Sequence, residues 1–141
     1  MEDWQKDDII RPLFGTIRED GLRRYRQAYI EVPRKNGKSN LCAAIALYML
    51  FADGEPGAEI ISAAGDRNQA RIVFEIASAM CATNPKLSGH GKVLRNTIEY
   101  KNSFYKAISA EANTKHGFNA HAVILDELHV FPDRDLYDVL K

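Results

Sequence analysis

The chain has 141 residues, 45% hydrophobic and 27% charged, the balance of a globular domain with a core rather than of a disordered or fibrous chain. Nineteen lysines and arginines meet nineteen aspartates and glutamates, so no global basic field advertises nucleic-acid binding and only a local patch could serve. The longest apolar run, Leu41 to Ala52, is too short to cross a bilayer, and the acidic start Met1-Glu2-Asp3 through Asp8 lacks the parts of a signal peptide.

In chain order, Tyr29-Ile30-Glu31-Val32 is a short β-prone run stopped by Pro33, which cannot donate to a ladder. Ser39 to about Ala52 is apolar on nearly all sides and reads as a buried helix. Glu59 to Ala64 is a buried-strand candidate ended by Gly65. Asp66 then stands as an N-cap with Gln69 three residues on, the pattern of a capping box. Behind it Ala70, Val73, Phe74, Ala77, Met80 and Cys81 line one helical face, up to the stop at Asn84-Pro85. Short strands follow at Val93-Leu94, Thr97–Tyr100 and Phe104–Ile108, parted by Arg95-Asn96 and by Lys101-Asn102-Ser103. Ala122-Val123-Ile124-Leu125 is a continuous apolar run leading into Asp126-Glu127. Continuous rather than alternating runs suit a mostly parallel sheet covered by helices on both faces, so the expected class is α/β. Cys42 and Cys81 lie inside apolar helical patterns without metal-like spacing and read as buried free thiols in a reducing cytosol.

Two segments carry chemistry. Val32-Pro33-Arg34-Lys35-Asn36-Gly37-Lys38-Ser39 lies between strand and helix, where the phosphate loop G-x-x-x-x-G-K-[ST] belongs. Gly37 lets the backbone turn so that successive N–H groups, those of Lys35 and Asn36 among them, can point at phosphate oxygens. Lys38 brings a compact positive charge to the β- and γ-phosphates. Ser39 opens the helix, offering its hydroxyl to Mg²⁺ while the helix N-terminus favours the anion. Val32 departs from the pattern, which has glycine there. In the second segment Asp126 and Glu127 end a buried strand, as in a Walker B motif. Asp126 would hold Mg²⁺ and Glu127 would activate the attacking water. The plainer alternatives are an ordinary Asn36-Gly37 turn and an Asp126-Glu127 helix cap. No Asn-Lys-x-Asp motif is present, so ATP is expected over GTP. His90, His116, His121 and His129 show no ligand spacing. Arg18, Arg23, Arg24 and Arg26 cluster, but Glu19 and Asp20 interrupt them, as on a solvated face.

Together these residues resemble a known family. Pro33 to Ser39, then Ile124 to His129, with Trp4-Gln5 near the start and Ala110-Glu111-Ala112, His116-Gly117 and Asn119-Ala120-His121 between, look like the ATPase domain of the tailed-bacteriophage terminase large subunit. That resemblance implies a P-loop ATPase that pumps double-stranded DNA into procapsids in the cytoplasm of a bacterial host, using ATP and Mg²⁺. It implies a homo-oligomeric ring, a terminase small subunit and a procapsid portal as partners, with no membrane. Arg34 would contact phosphate or sense the γ-phosphate, and Gln5 would read adenine. In this family the strand after the Walker B segment inserts between the phosphate-loop strand and the Walker B strand, and a nuclease domain follows. Neither is within residues 1–141. The chain is therefore expected to be the N-terminal portion of a longer, split or truncated protein, sticky and poorly active by itself. A helicase-like or other P-loop ATPase, or an inactive remnant acting only as a binding module, are the competing readings.

Overall fold

A computed structural model describes residues 4–15, 17–21, 27–31, 37–52, 56–109 and 120–126. Contacts group the chain into two compact units, residues 1–41 and 42–141, the division falling within the helix Lys38–Phe51.

In the first unit, Gln5–Ile10 forms a wide π-type turn that continues into the short helix α1, Arg11–Gly15. Neither was expected from periodicity. Arg11 reaches back to Asp7 at 3.3 Å, the i,i+4 geometry of a helical surface pair. Arg18 pairs with Asp20 at 3.4 Å, both about half exposed, as a solvated face would have it; Arg23, Arg24 and Arg26 lie outside the described residues. The strand expected at Tyr29–Val32 is not present over its described part, residues 29–31. Tyr29 is 80% exposed, and its hydroxyl donates locally to Glu31 Oε1 at 3.0 Å. Strand propensity needs a partner ladder to act upon, and no described strand lies alongside these residues.

The second unit is built on a five-stranded sheet of order β2-β3-β4-β1-β5. Its strands are β1 (Glu59–Ala64), β2 (Lys92–Val93), β3 (Thr97–Tyr100), β4 (Ser103–Ser109) and β5 (Ala122–Leu125). Strands β4, β1 and β5 are parallel, with Ile60 beside both Tyr105 and Ala122. Strand β3 pairs antiparallel with both β2 and β4, so the sheet is mixed where a mostly parallel one was expected. The reason lies in the connections. Turns as short as Leu94–Asn96 and Lys101-Asn102 close only antiparallel pairs, whereas a parallel pair needs a long crossover. Lys101 takes the left-handed φ of 52° that such a tight turn asks for.

Helix α2 (Lys38–Phe51) buries Ala43, Ala46, Leu47 and Leu50, one face at i, i+3, i+4 and i+7, with Met49 beside it. Helix α3 (Arg67–Thr83) starts as expected: Asp66 Oδ1 accepts from the Gln69 N–H at 2.9 Å. Its buried residues are Ala70, Val73, Phe74, Ala77 and Cys81, while Met80 is only half-buried. Asn84 ends α3 and caps the single turn α4 (Pro85–Ser88). Cys42 is half-buried rather than buried; Cys81 is fully buried, which pushes its thiol pKa up.

The strand register fixes which side chains share a face. Ile60, Ser62, Ile98, Tyr100 and Tyr105 lie on one face, where both α2 and α3 pack. Phe74 of α3 stacks on Tyr105 with ring centroids 5.8 Å apart, and Phe51 of α2 meets Tyr100 at 4.8 Å. A Cβ on Gly91 would come within 2.6 Å of Phe51 Cζ, so a side chain there would have to displace the Phe51 ring. Under the helices, the buried hydroxyls of Ser62 and Tyr105 share a 2.7 Å hydrogen bond. On the opposite face Ile61 and Ala63 are buried among Phe104, Ile108, Ala120, Val123 and Leu125. The helices expected on that side are not among the described elements. None of the described helices is long and apolar enough to cross a membrane.

Candidate nucleotide site

The loop residues belong to the first unit. Gly37 has φ 72°, a left-handed conformation that costs a residue with a Cβ about 1–2 kcal/mol. Its carbonyl accepts from the Leu41 N–H at 2.9 Å, which makes Gly37 the residue from which α2 springs. Lys38 and Ser39 are therefore the first residues of the helix, both half-buried. The first turn of a helix carries N–H groups pointing out along the axis and a partial positive charge, so an anion is favoured there. Gln5 is buried at 5% exposure, and its Nε2 lies 3.3 Å from where a Cβ on Gly37 would stand. The structure thus brings together Gln5 and Gly37, which the sequence joined only through a family resemblance. Arg34, Lys35, Asn36 and Val32 lie outside the described residues.

The buried carboxylate Asp126 belongs to the second unit. Asp126 follows β5 directly, and its N–H donates to the Ala63 carbonyl at 2.9 Å, extending the parallel ladder past the strand end. The residue is 4% exposed. It stands at the C-terminal end of the parallel strands, the end at which open α/β sheets bind ligands. Ser109, 4% exposed at the same end of β4, is a polar residue that sequence reasoning did not single out. Its only signal was position: a small polar residue closing an apolar strand. Glu127, His116 and His129 lie outside the described residues, whereas His90 is exposed and His121 donates its backbone N–H to the Glu59 carbonyl at 2.9 Å.

Among the described residues no three His, Cys, Asp or Glu side chains gather as a metal cluster. Magnesium in a nucleotide site does not require one, because it keeps waters and takes phosphate oxygens plus one or two protein oxygens. A serine hydroxyl at a helix start and a buried aspartate at a strand end are the hard oxygen donors that such an ion accepts.

A family model described as the terminase large subunit, ATPase domain, matches residues 3–141. The terminase large subunit of Enterobacteria phage HK97 is 38% identical over 135 residues, which is 90% of this chain and 25% of that protein. The crystal structure of the HK97 bacteriophage large terminase superposes with a TM-score of 0.85 at 33% identity, covering 99% of this chain and 29% of that one. The chain spans about a quarter of the length of these relatives. With the family model covering nearly every residue, this chain belongs to the terminase large subunit ATPase domain family.

Proposed function

We propose that the chain binds and hydrolyses Mg²⁺-ATP as the nucleotide-binding part of a motor that drives double-stranded DNA into procapsids. The observation that carries this reading is the left-handed Gly37, packed against buried Gln5 and immediately followed by Lys38-Ser39 at the opening of α2. Backbone N–H groups of Lys35, Asn36 and Gly37 cradle phosphate oxygens, and Lys38 neutralises the β- and γ-phosphates. Gln5 offers an amide that can both donate to and accept from the adenine edge. Arg34 reaches the γ-phosphate, whose charge rises as the bond to it loosens. Magnesium, held by Ser39 and Asp126, would screen phosphate charge and orient the leaving group.

Glu127 acts as general base. It takes a proton from water as the water oxygen bonds to the γ-phosphorus; the bond from that phosphorus to the bridging oxygen breaks, leaving ADP and inorganic phosphate. In the intact protein this cycle would run within a homo-oligomeric ring seated on the procapsid portal and supplied with DNA through the small subunit, in the cytoplasm of the infected bacterium.

Lys38→Ala tests the loop. Titration with a fluorescent ATP analogue in Mg²⁺ should show affinity at least about 10-fold weaker than wild type, the loss expected for one charge-assisted hydrogen bond of roughly 1.5–3 kcal/mol. Circular dichroism should show the fold retained. Unchanged affinity would refute the assignment of Lys38.

A further inference from the structure

The chain is electrically neutral as a whole, but its charge is not evenly spread. Residues 84–106 hold five basic side chains, Lys86, Lys92, Arg95, Lys101 and Lys106, against one acid, Glu99. The first four are exposed, and among the described residues none of the five forms an ion pair within 4.0 Å. Three of them sit on a stiff frame. Lys92 is on the edge strand β2, directly opposite Glu99, and Arg95 is in the β2–β3 turn that the Leu94 N–H closes onto the Thr97 carbonyl at 2.8 Å. Lys101 is in the β3–β4 turn, with its ammonium 5.2 Å from the centre of the Tyr100 ring. Arg95 and Lys101 therefore stand at opposite ends of β3, about 17–20 Å apart at strand rise, or roughly five to six base-pair steps of a duplex.

Val93 and Leu94, 43% and 40% exposed, lie between Lys92 and Arg95. A hairpin with apolar side chains set between cations suits a DNA groove, since phosphates line both rims. We propose that the β2–β3–β4 edge of the sheet binds double-stranded DNA, with Lys92, Arg95 and Lys101 on backbone phosphates and the Val93-Leu94 segment facing a groove. The choice of DNA among polyanions rests on the packaging function proposed above. Nucleotide and duplex are assigned to different places: β2 and β5, which leads into Asp126, are the two outermost of the described strands, four strand spacings or roughly 19 Å apart.

The test is the affinity of the 141-residue chain for a fluorescent 20-base-pair duplex of arbitrary sequence, followed by anisotropy over a range of salt. The triple variant Lys92→Gln, Arg95→Gln, Lys101→Gln should bind at least about 10-fold more weakly near 0.1 M salt. Its slope of log affinity against log salt should fall by about 2–3, near 0.9 for each phosphate no longer neutralised. A control that removes equal charge elsewhere, Arg11→Gln, Arg67→Gln, Arg71→Gln, should change affinity less than about 3-fold. Glu99→Gln removes the lone acid and should tighten binding, which keeps the proposal testable even where the triple variant folds poorly. Equal loss in triple variant and control, no gain from Glu99→Gln, or no duplex binding at low salt would each overturn it, whatever acidic protein the surface then binds. ATP titration of the same variants separates the two proposals: the triple variant should keep wild-type ATP affinity, and Lys38→Ala should keep wild-type duplex affinity.

Discussion

Replacing Glu127 with glutamine is expected to lower ATP turnover by about 100-fold or more while ATP affinity stays within a few-fold of wild type. The amide keeps the size and one acceptor oxygen of the carboxylate but cannot take a proton at neutral pH. General-base assistance contributes about 10²–10⁴ to such reactions, so its removal falls on the chemical step. The neighbouring Asp126 should behave differently. It is buried at the end of β5, and Asp126→Ala removes the proposed metal ligand, so the Mg²⁺ requirement should shift together with turnover. Phosphate release at saturating Mg²⁺-ATP, read beside an equilibrium titration, separates the two. Turnover of Glu127→Gln within about 3-fold of wild type would remove the residue from the mechanism.

The largest effect on stability is expected at Tyr105. Its side chain is fully buried, stacks on Phe74 and shares its hydroxyl with Ser62. Tyr105→Ala should cost roughly 3–5 kcal/mol, the range for truncating a buried aromatic, out of a total of about 5–15 kcal/mol for an ordinary domain. Tyr105→Phe keeps the packing and removes one hydrogen bond, leaving the buried Ser62 hydroxyl without it, at about 1–2 kcal/mol. Burial pushes the phenol pKa from 10.0 up to about 12, against the opposing pull of the Ser62 hydrogen bond. The unfolded chain therefore gives up this proton earlier than the folded one as pH rises. The native state keeps its full advantage below pH 10 and loses roughly 2–3 kcal/mol of it between pH 10 and 12. Cys81, raised by burial as well, adds a slope of the same sign. The difference between wild type and Tyr105→Phe in urea midpoints across that range isolates the tyrosine, and parallel curves would show that its proton does not matter.

Much of this fold was legible in the sequence where local pattern and tertiary demand agreed. The apolar face of α3, its Asp66 cap and the Asn84-Pro85 stop each follow from side-chain chemistry within a few residues. Strands β1, β3 and β5 have the bounds that their apolar runs and flanking turns suggested. Strand direction was the weaker inference. Apolar continuity pointed to parallel pairing, yet Arg95-Asn96 and Lys101-Asn102 already favoured hairpins, and connection length decides. Tyr29-Ile30-Glu31 failed as a strand because propensity supplies side chains that tolerate a sheet but no neighbour to pair with.

The candidate site was legible in a different sense, as local geometry. Gly37 and Asp126 could be read from motif and spacing, because a left-handed turn before a helix and a carboxylate after a buried strand have recognisable residue preferences. The approach of Gln5 to Gly37 could not, since nothing local links two residues so far apart in the chain. The basic edge around Lys92, Arg95 and Lys101 was hidden by an even total charge. Only strand register shows that turns at both ends of β3 present cations along one rim.

If the glycine-lysine-serine turn and the carboxylates after β5 serve one magnesium–triphosphate, a crystal structure with Mg²⁺ and a non-hydrolysable ATP analogue will show it. One metal ion should touch the Ser39 hydroxyl, a phosphate oxygen and Asp126, directly or through one water, with the Lys38 ammonium on the β- and γ-phosphates. Nucleotide bound elsewhere, or at Lys38 with Asp126 remote from the metal, would contradict the proposed site.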